Sequence, residues 1–349
     1  MQGPFGVRSL ALSGLFILAG FYTLYLARAF FLPIVLALLL NFLLSPAVRA
    51  LKKLHIPEAI GAALVVLGLL GALGLGIYQL SGPAYEWARQ APGSLRRLEA
   101  KLADFKKPVR TMSNATAQVE KITQVGAGEE PRKIQVQQES LGEKLFSQTT
   151  EILAAGSVLL ILLFFLLASG DMFLRKMIRV LPSLSDKKTA VEIARQIESD
   201  ISTYLMTITM INGCLGLATW GAMALLGVPN PLLWGVMAWA TNYIPYLGAM
   251  CMYAVLTMVG FLTFPTAGQA LLVPAAFGVL NILEAYVLTP LVLGKRLTLN
   301  PVVIFVALTF WGWIWGVAGA ILAVPIMVVF KIFCDHSEPL ASIGEFLGD

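Results

Sequence analysis

Long apolar runs alternate with shorter polar stretches along this chain, and the runs set its elements. A hydrocarbon core of ~30 Å takes about 20 helical residues, and runs of that order cover Leu10–Ala27, Phe30–Leu51, Ala59–Leu80, Ile152–Ser169, Leu205–Gly227 and Ala270–Leu293. They are apolar on every face. A membrane β-barrel needs period-two alternation toward a polar lumen, so each run is predicted as a helix. The expected fold class is all-α: a polytopic membrane protein with about six full transmembrane helices, in contact with the lipid bilayer. The first run is too long for a signal-peptide core and is followed at once by another span, so it is read as retained.

Lys and Arg then orient the chain. Arg49, Lys52 and Lys53 follow the second span, and Arg175, Lys176, Arg179, Lys187 and Lys188 follow the fourth, so both loops are expected to be cytoplasmic, as are both termini. Residues 81–150 are then extracytoplasmic. Within them Pro83 and Pro92-Gly93 precede Leu95, Leu98, Leu102 and Phe105 at helical spacing, which predicts an amphipathic helix. Gly126–Ser140 is polar and reads as a connector, and Asn114-Ala115-Thr116 matches a glycosylation acceptor that matters only in a eukaryotic secretory route. Leu141 and Leu145 begin a helix expected to run into the fourth span. Ser183-Leu184-Ser185-Asp186 is placed to cap a cytoplasmic surface helix carrying Glu192, Arg195, Glu198 and Asp200.

Two further apolar stretches have the wrong length. Leu232–Phe264 has about 33 residues and Pro301–Phe330 about 30, too many for one crossing and fewer than the ~40 that two require. Parity points to a return in each case. The fifth span ends outside, while Ala270–Leu293 ends at Lys295-Arg296, inside, so Leu232–Phe264 starts and finishes outside. Its middle, Asn242-Tyr243-Ile244-Pro245-Tyr246-Leu247-Gly248, has a proline that cannot donate and a glycine that permits a turn. Pro301–Phe330 lies between cytoplasmic charges and has Gly312, Gly316 and Gly319 near its centre. Two opposed re-entrant hairpins, 232–264 and 301–330, are therefore expected. The alternative is a single tilted or kinked helix for each. The domains read as residues 1–80 with three spans, the extracytoplasmic segment 81–150, and a transport core over 151–349.

Candidate chemistry concentrates in that core. Glu284, an acid near the middle of the sixth run with Asn281 one turn before it, is a functional candidate because an intramembrane carboxylate is costly. The bland reading is an interhelical polar contact. At the first tip Asn242 and Thr241 offer amide and hydroxyl groups, Pro245 frees the carbonyl one turn earlier, and Gly248 makes the turn, a combination able to bind a polar solute or a cation. The bland reading there is a turn that only folds the hairpin. Asn212 is a weaker pathway candidate, with Thr209 and Asn41; Trp311, Trp313 and Trp315 mark the second tip or an interface.

Of the 349 residues, 58% are hydrophobic and 13% charged, against ~25% charged in a soluble domain, and the net charge of +5 reflects orientation and not a nucleic-acid surface. The three cysteines have no metal-type spacing, and HExxH, GxSxG and GxxxxGK are absent. No enzyme, metal site or cofactor is expected, and energy input is expected from an ion or solute gradient.

The ordered set Pro33, Ala37, Leu44-Ser45-Pro46, Ile56-Pro57, Ser169-Gly170-Asp171, Leu181-Pro182, Gly227-Val228-Pro229, Asn242–Gly248, Asn281 with Glu284, Pro290 with Gly294, Leu299-Asn300-Pro301, Gly316 with Gly319, and Ala323-Val324-Pro325 resembles the autoinducer-2 exporter family of bacterial inner-membrane proteins. The resemblance spans nearly the whole chain. It implies export of a small polar signalling molecule, or in some relatives Na⁺(Li⁺)/H⁺ antiport, by a homo-oligomer. The family's usual proline in the second arm of the first hairpin is missing from Met250–Val259, so that arm is expected to be straighter. Proton-coupled efflux is the leading mechanism. A passive oligomeric channel and a non-transporting membrane scaffold are the other classes.

Overall fold

Apolar runs with no water to satisfy their backbone groups must bond internally, and among the described residues they do so as helices. The computed structural model describes residues 7–113, 141–170, 184–293, 299–336 and 340–348. The Asn114 acceptor, the Gly126–Ser140 connector, the basic residues Arg175 to Arg179 and Lys295-Arg296 lie outside these ranges. The helices are α1 (Val7–Leu26), α2 (Arg28–Lys53), α3 (Glu58–Ser113), α4 (Leu141–Ser169), α5 (Leu184–Leu225), α6 (Pro231–Thr241), α7 (Leu247–Thr263), α8 (Ala267–Leu283), α9 (Thr289–Leu293), α10 (Pro301–Asp335) and α11 (Ala341–Leu347), with a π-turn at Glu284–Leu288 between α8 and α9. Among the described residues five helices are long and apolar enough to cross a membrane, within α2, α3, α5, α8–α9 and α10, and shorter apolar helices cover Leu12–Leu26, Leu153–Ser169 and Leu247–Thr263. The chain is an all-α polytopic membrane protein.

Two expected elements merge with their neighbours. The amphipathic helix of residues 95–105 continues the third span: α3 runs through Pro83 and Pro92 for 56 residues, about 84 Å. The charged surface helix before the fifth span is likewise continuous with it in α5.

α2 is the spine of the N-terminal half. One face packs on α3 and α4 through Ala37, Val48, Ala62, Val66, Leu163 and Leu167. The other meets α5 and α10. Pro46 has no N–H for the Phe42 carbonyl, and the buried Ser202 of α5 donates its hydroxyl to that oxygen at 2.7 Å. The backbone bond missing at Pro46 thus becomes a joint between α2 and α5.

The C-terminal half folds as consecutive antiparallel pairs whose backbones nearly touch. α5 meets α6 where Gly216 faces Trp239 and Gly235 faces Trp220. α7 meets α8 where Gly260 lies against the Ala270 carbonyl and Tyr253 against Gly278. Small residues at such crossings let dispersion act where lipid leaves little hydrophobic drive. Trp234, Ala238, Met252, Leu256, Val273 and Phe277 fill the space between them.

α10 reverses on itself. Gly316, at φ 64° and ψ −144°, occupies a region that glycine alone enters readily. Beyond it the Trp311 carbonyl is pressed against Gly319, a Cβ on Gly312 would sit 3.8 Å from that of Ala320, and Ala307, Leu308 and Ala323 share one cluster. Residues eight apart on a straight helix are about 12 Å apart, so these contacts require two antiparallel arms, 301–315 and 317–335. Both open ends gather at one place. Asn300 N donates to Leu347 O at 3.1 Å, while Lys331, ion-paired with Asp335 at 2.6 Å, sits beside Gly348 of the same returning segment.

Candidate functional site

The first hairpin, α6 and α7, turns at Asn242–Tyr246. Thr241 is the last residue of α6, and Pro245 interrupts any continuation because it cannot donate. Tyr246 then takes φ 62° and ψ −55°, and Leu247 N donates to Pro245 O at 2.6 Å. That is a γ-turn of the rare, strained hand, carried by a residue with a side chain. Gly248 is buried directly against the Thr241 carbonyl, where a Cβ would collide with it.

The tip is held by α5. Asn242 donates its Nδ2 to Asn212 Oδ1 at 2.9 Å, and Tyr243 donates its hydroxyl to Thr209 Oγ1 at 3.0 Å. Asn212 is 0% exposed, and its own Nδ2 has no partner among the described residues. An amide N–H stranded at membrane depth costs several kcal/mol, so a buried side chain with both amide N–H donors free is poised for a polar guest. From the tip, Ile244 packs on Ala307, Leu308 and Ala323, in the waist of the second hairpin.

Glu284 reaches the same depth by register. α7 and α8 are antiparallel, with Gly260 against Ala270 and Tyr253 against Gly278. Extending that pairing by six residues, about 9 Å, sets Glu284 level with Tyr246. The carboxylate begins the π-turn and accepts the Thr289 hydroxyl at 2.7 Å. Pro290 explains the turn: it has no N–H for the carbonyl four residues back, and the wider winding absorbs that loss. The same winding brings Thr289, five residues on, round to Glu284.

Asn242, Asn212, Pro245 and Gly248 therefore meet at one tip, with Glu284 at matching depth. Thr241 contributes differently from its expected role. Its hydroxyl is spent on Met237 O at 2.7 Å, and its carbonyl, the one freed by Pro245, accepts from Ile244 N at 2.9 Å beneath Gly248. Asn281 lies one turn from Glu284, but the hydroxyl on that acid comes from Thr289. Thr209, a weaker candidate in the sequence, joins the tip through Tyr243; Tyr243 and Thr289 are not singled out there, and only the neighbouring Pro245 and Pro290, which reroute backbone bonds, hint at them. Trp315 anchors the second tip by donating Nε1 to Leu24 O at 3.1 Å, and Trp313 stacks on Tyr25.

A separate cavity of about 970 Å³ opens between α2, α4 and α5 near the charged ends of these helices. Asn41 and Ser45 line it, together with Arg49, which pairs with Glu198 at 2.8 Å, and Lys52, which pairs with Glu58.

A family model described as AI-2E family transporter matches residues 14–338. The chain is 25% identical over 323 residues to the AI-2 transport protein TqsA of Escherichia coli K12, covering 93% of this chain and 90% of that relative. It is 27% identical over 320 residues to the putative transport protein YueF of Bacillus subtilis 168, covering 89% and 85% respectively. It is also 33% identical to the putative transport protein YhhT of Escherichia coli K12 over 148 residues, 42% of each chain.

Proposed function

Because the chain belongs to the AI-2E transporter family and is a membrane transport protein, we propose that it is a secondary transporter exporting a small polar solute of the autoinducer-2 kind, coupled to the proton gradient. The observation that carries this reading is the tip at Asn242–Tyr246, fastened to α5 beside a fully buried Asn212 whose amide N–H groups are unpaired among the described residues. A hydroxylated solute matches such a site, because each of its oxygens both accepts and donates.

Glu284 is the proposed proton carrier. Ionised, its carboxylate only accepts, as it does from Thr289; protonated, it gains a donor and the Thr289 contact becomes exchangeable. The π-turn gives the helix a local winding that can change with that exchange, and such turns recur at functional sites. The two hairpins enter from opposite membrane faces in this proposal, with both termini cytoplasmic in a bacterial inner membrane and several copies assembled as a homo-oligomer.

Proteoliposomes loaded with autoinducer-2 test the coupling. Glu284→Gln is expected to abolish efflux driven by a pH gradient while the amount of inserted protein is unchanged. Undiminished gradient-driven efflux by that variant would remove Glu284 from the mechanism, and efflux indifferent to the gradient in the unmodified protein would make it a passive pore.

A further inference from the structure

The cavity between α2, α4 and α5 lies apart from the hairpin tip, and its lining has two distinct parts. Along its walls stand Leu38, Phe42, Leu166 and Phe333, with the uncharged Asn41 and Ser45 among them. At its rim stand Arg49, Lys52 and Lys53 from the last turns of α2, with Glu198 and Glu58 opposite. Leu38 and Arg49 are eleven residues apart, so a mainly apolar wall, interrupted by the uncharged Asn41 and Ser45, runs about 16 Å along α2 before the charges begin. α4 and α5 both pack on α2, and the slot is the gap left between them.

We propose that this slot binds an anionic phospholipid of the cytoplasmic leaflet, one acyl chain against the apolar wall and its phosphate at the rim. Charge and shape both favour that occupant. Arg49 and Lys52 are engaged by Glu198 and Glu58, whereas Lys53 is exposed and makes no ion pair among the described residues, which leaves the rim one positive charge in excess. A phosphodiester carries one negative charge and neutralises it. About 970 Å³ lies at the upper end of the ~300–1,000 Å³ of ligand pockets, and a slot with a long apolar wall and charges only at its mouth suits an amphiphile better than a small polar solute. Basic pockets between membrane helices on the cytoplasmic side are where anionic headgroups collect. Gly170, which ends α4 at φ 45° with its missing Cβ only 2.7 Å from Glu58 Oε2, lets the Glu58 carboxylate stand at the rim and orient Lys52.

The test uses the purified full chain in detergent, with its thermal midpoint followed as phosphatidylglycerol, phosphatidylcholine or glycerol 3-phosphate is added. Phosphatidylglycerol is expected to raise the midpoint saturably, and the other two to leave it unmoved. Lys53→Gln should weaken the apparent affinity for phosphatidylglycerol about fivefold. Leu166→Trp, which fills the slot from the wall, should abolish the response while the protein still unfolds cooperatively. Equal responses to both lipids, or a full response in both variants, would overturn the proposal. A response to glycerol 3-phosphate equal to that of the lipid would show a soluble-anion site instead, and would also overturn it. None of these readouts depends on transport, so the outcome is independent of the role of Glu284.

Discussion

At the scale of single residues, prolines in this chain act by leaving carbonyls without partners, and neighbouring residues take up each loss differently. The Phe42 carbonyl, orphaned by Pro46, is bonded by Ser202 from another helix. The Thr241 carbonyl, orphaned by Pro245, is reclaimed by Ile244 within the turn. The two cases make opposite demands on mutation. Ser202→Ala should destabilise the protein by about 1–2 kcal/mol, since it leaves a buried acceptor unpaired. In a Pro46→Ala background the helix supplies its own N–H, so the same change should cost much less. Thermal or chemical unfolding of the four proteins in detergent measures that coupling, and strict additivity would show that Ser202 and Pro46 act independently. Tyr246 is the complementary case: its positive φ is a local cost that the Asn242 and Tyr243 bonds to α5 must outweigh for the tip to keep its shape.

At the scale of elements, the reversal of α10 is the feature that a bare count of apolar helices passes over. Its 35 residues pass as one apolar span, yet the contacts around Gly316 make it two arms. The position of Gly312 opposite Ala320 converts directly into a test. Paired cysteines there, in a background without Cys214, Cys251 and Cys334, have β-carbons 3.8 Å apart, inside the 3.5–4.5 Å range of disulfides, and should cross-link promptly under mild oxidation. A straight rod would hold them about 12 Å apart and no bond would form. Much of this element was readable beforehand, because a segment of intermediate length with three central glycines between two basic groups, both expected on one membrane face, has few other solutions. The π-turn at Glu284 was not readable: Pro290 signals a disturbed helix, but from sequence alone a kink, a break and a widened turn all absorb its missing N–H. The cavity escaped for a related reason. Arg49 and Lys52 read as orientation signals and Glu198 as charge on a surface helix, and only the gap between α4 and α5 joins them with Glu58 at the rim of a slot.

At the scale of the whole molecule, α5 serves as a ruler along which both hairpins can be located. Asp200, near its polar end, meets His336 beyond the last arm of α10 at 3.6 Å, and Thr209 and Asn212, partway along, hold the tip of the first hairpin. Leu225, at the far end, leads through a short loop into α6. The hairpins therefore open at opposite ends of α5 and overlap in between, where Ile244 packs on the waist of α10. A carrier needs such an overlap if one half is to move past the other while the solute stays covered. The proposed re-entrant arrangement assigns a sidedness to two exposed residues, Gln269 at the start of α8 and Glu345 in α11. In that proposal the chain crosses the bilayer once between them, with α8 and α9, and turns back within α10, which places them on opposite faces. Single cysteines at these positions in a cysteine-free chain are expected to separate cleanly. Gln269→Cys should react with a membrane-impermeant maleimide on cells whose outer surface is accessible, and Glu345→Cys only in inverted vesicles, as should Lys53→Cys. Labelling of Gln269→Cys and Glu345→Cys from the same face would mean that α10 traverses the bilayer, and opposed hairpins around a shared tip would then no longer be a workable description of this transporter.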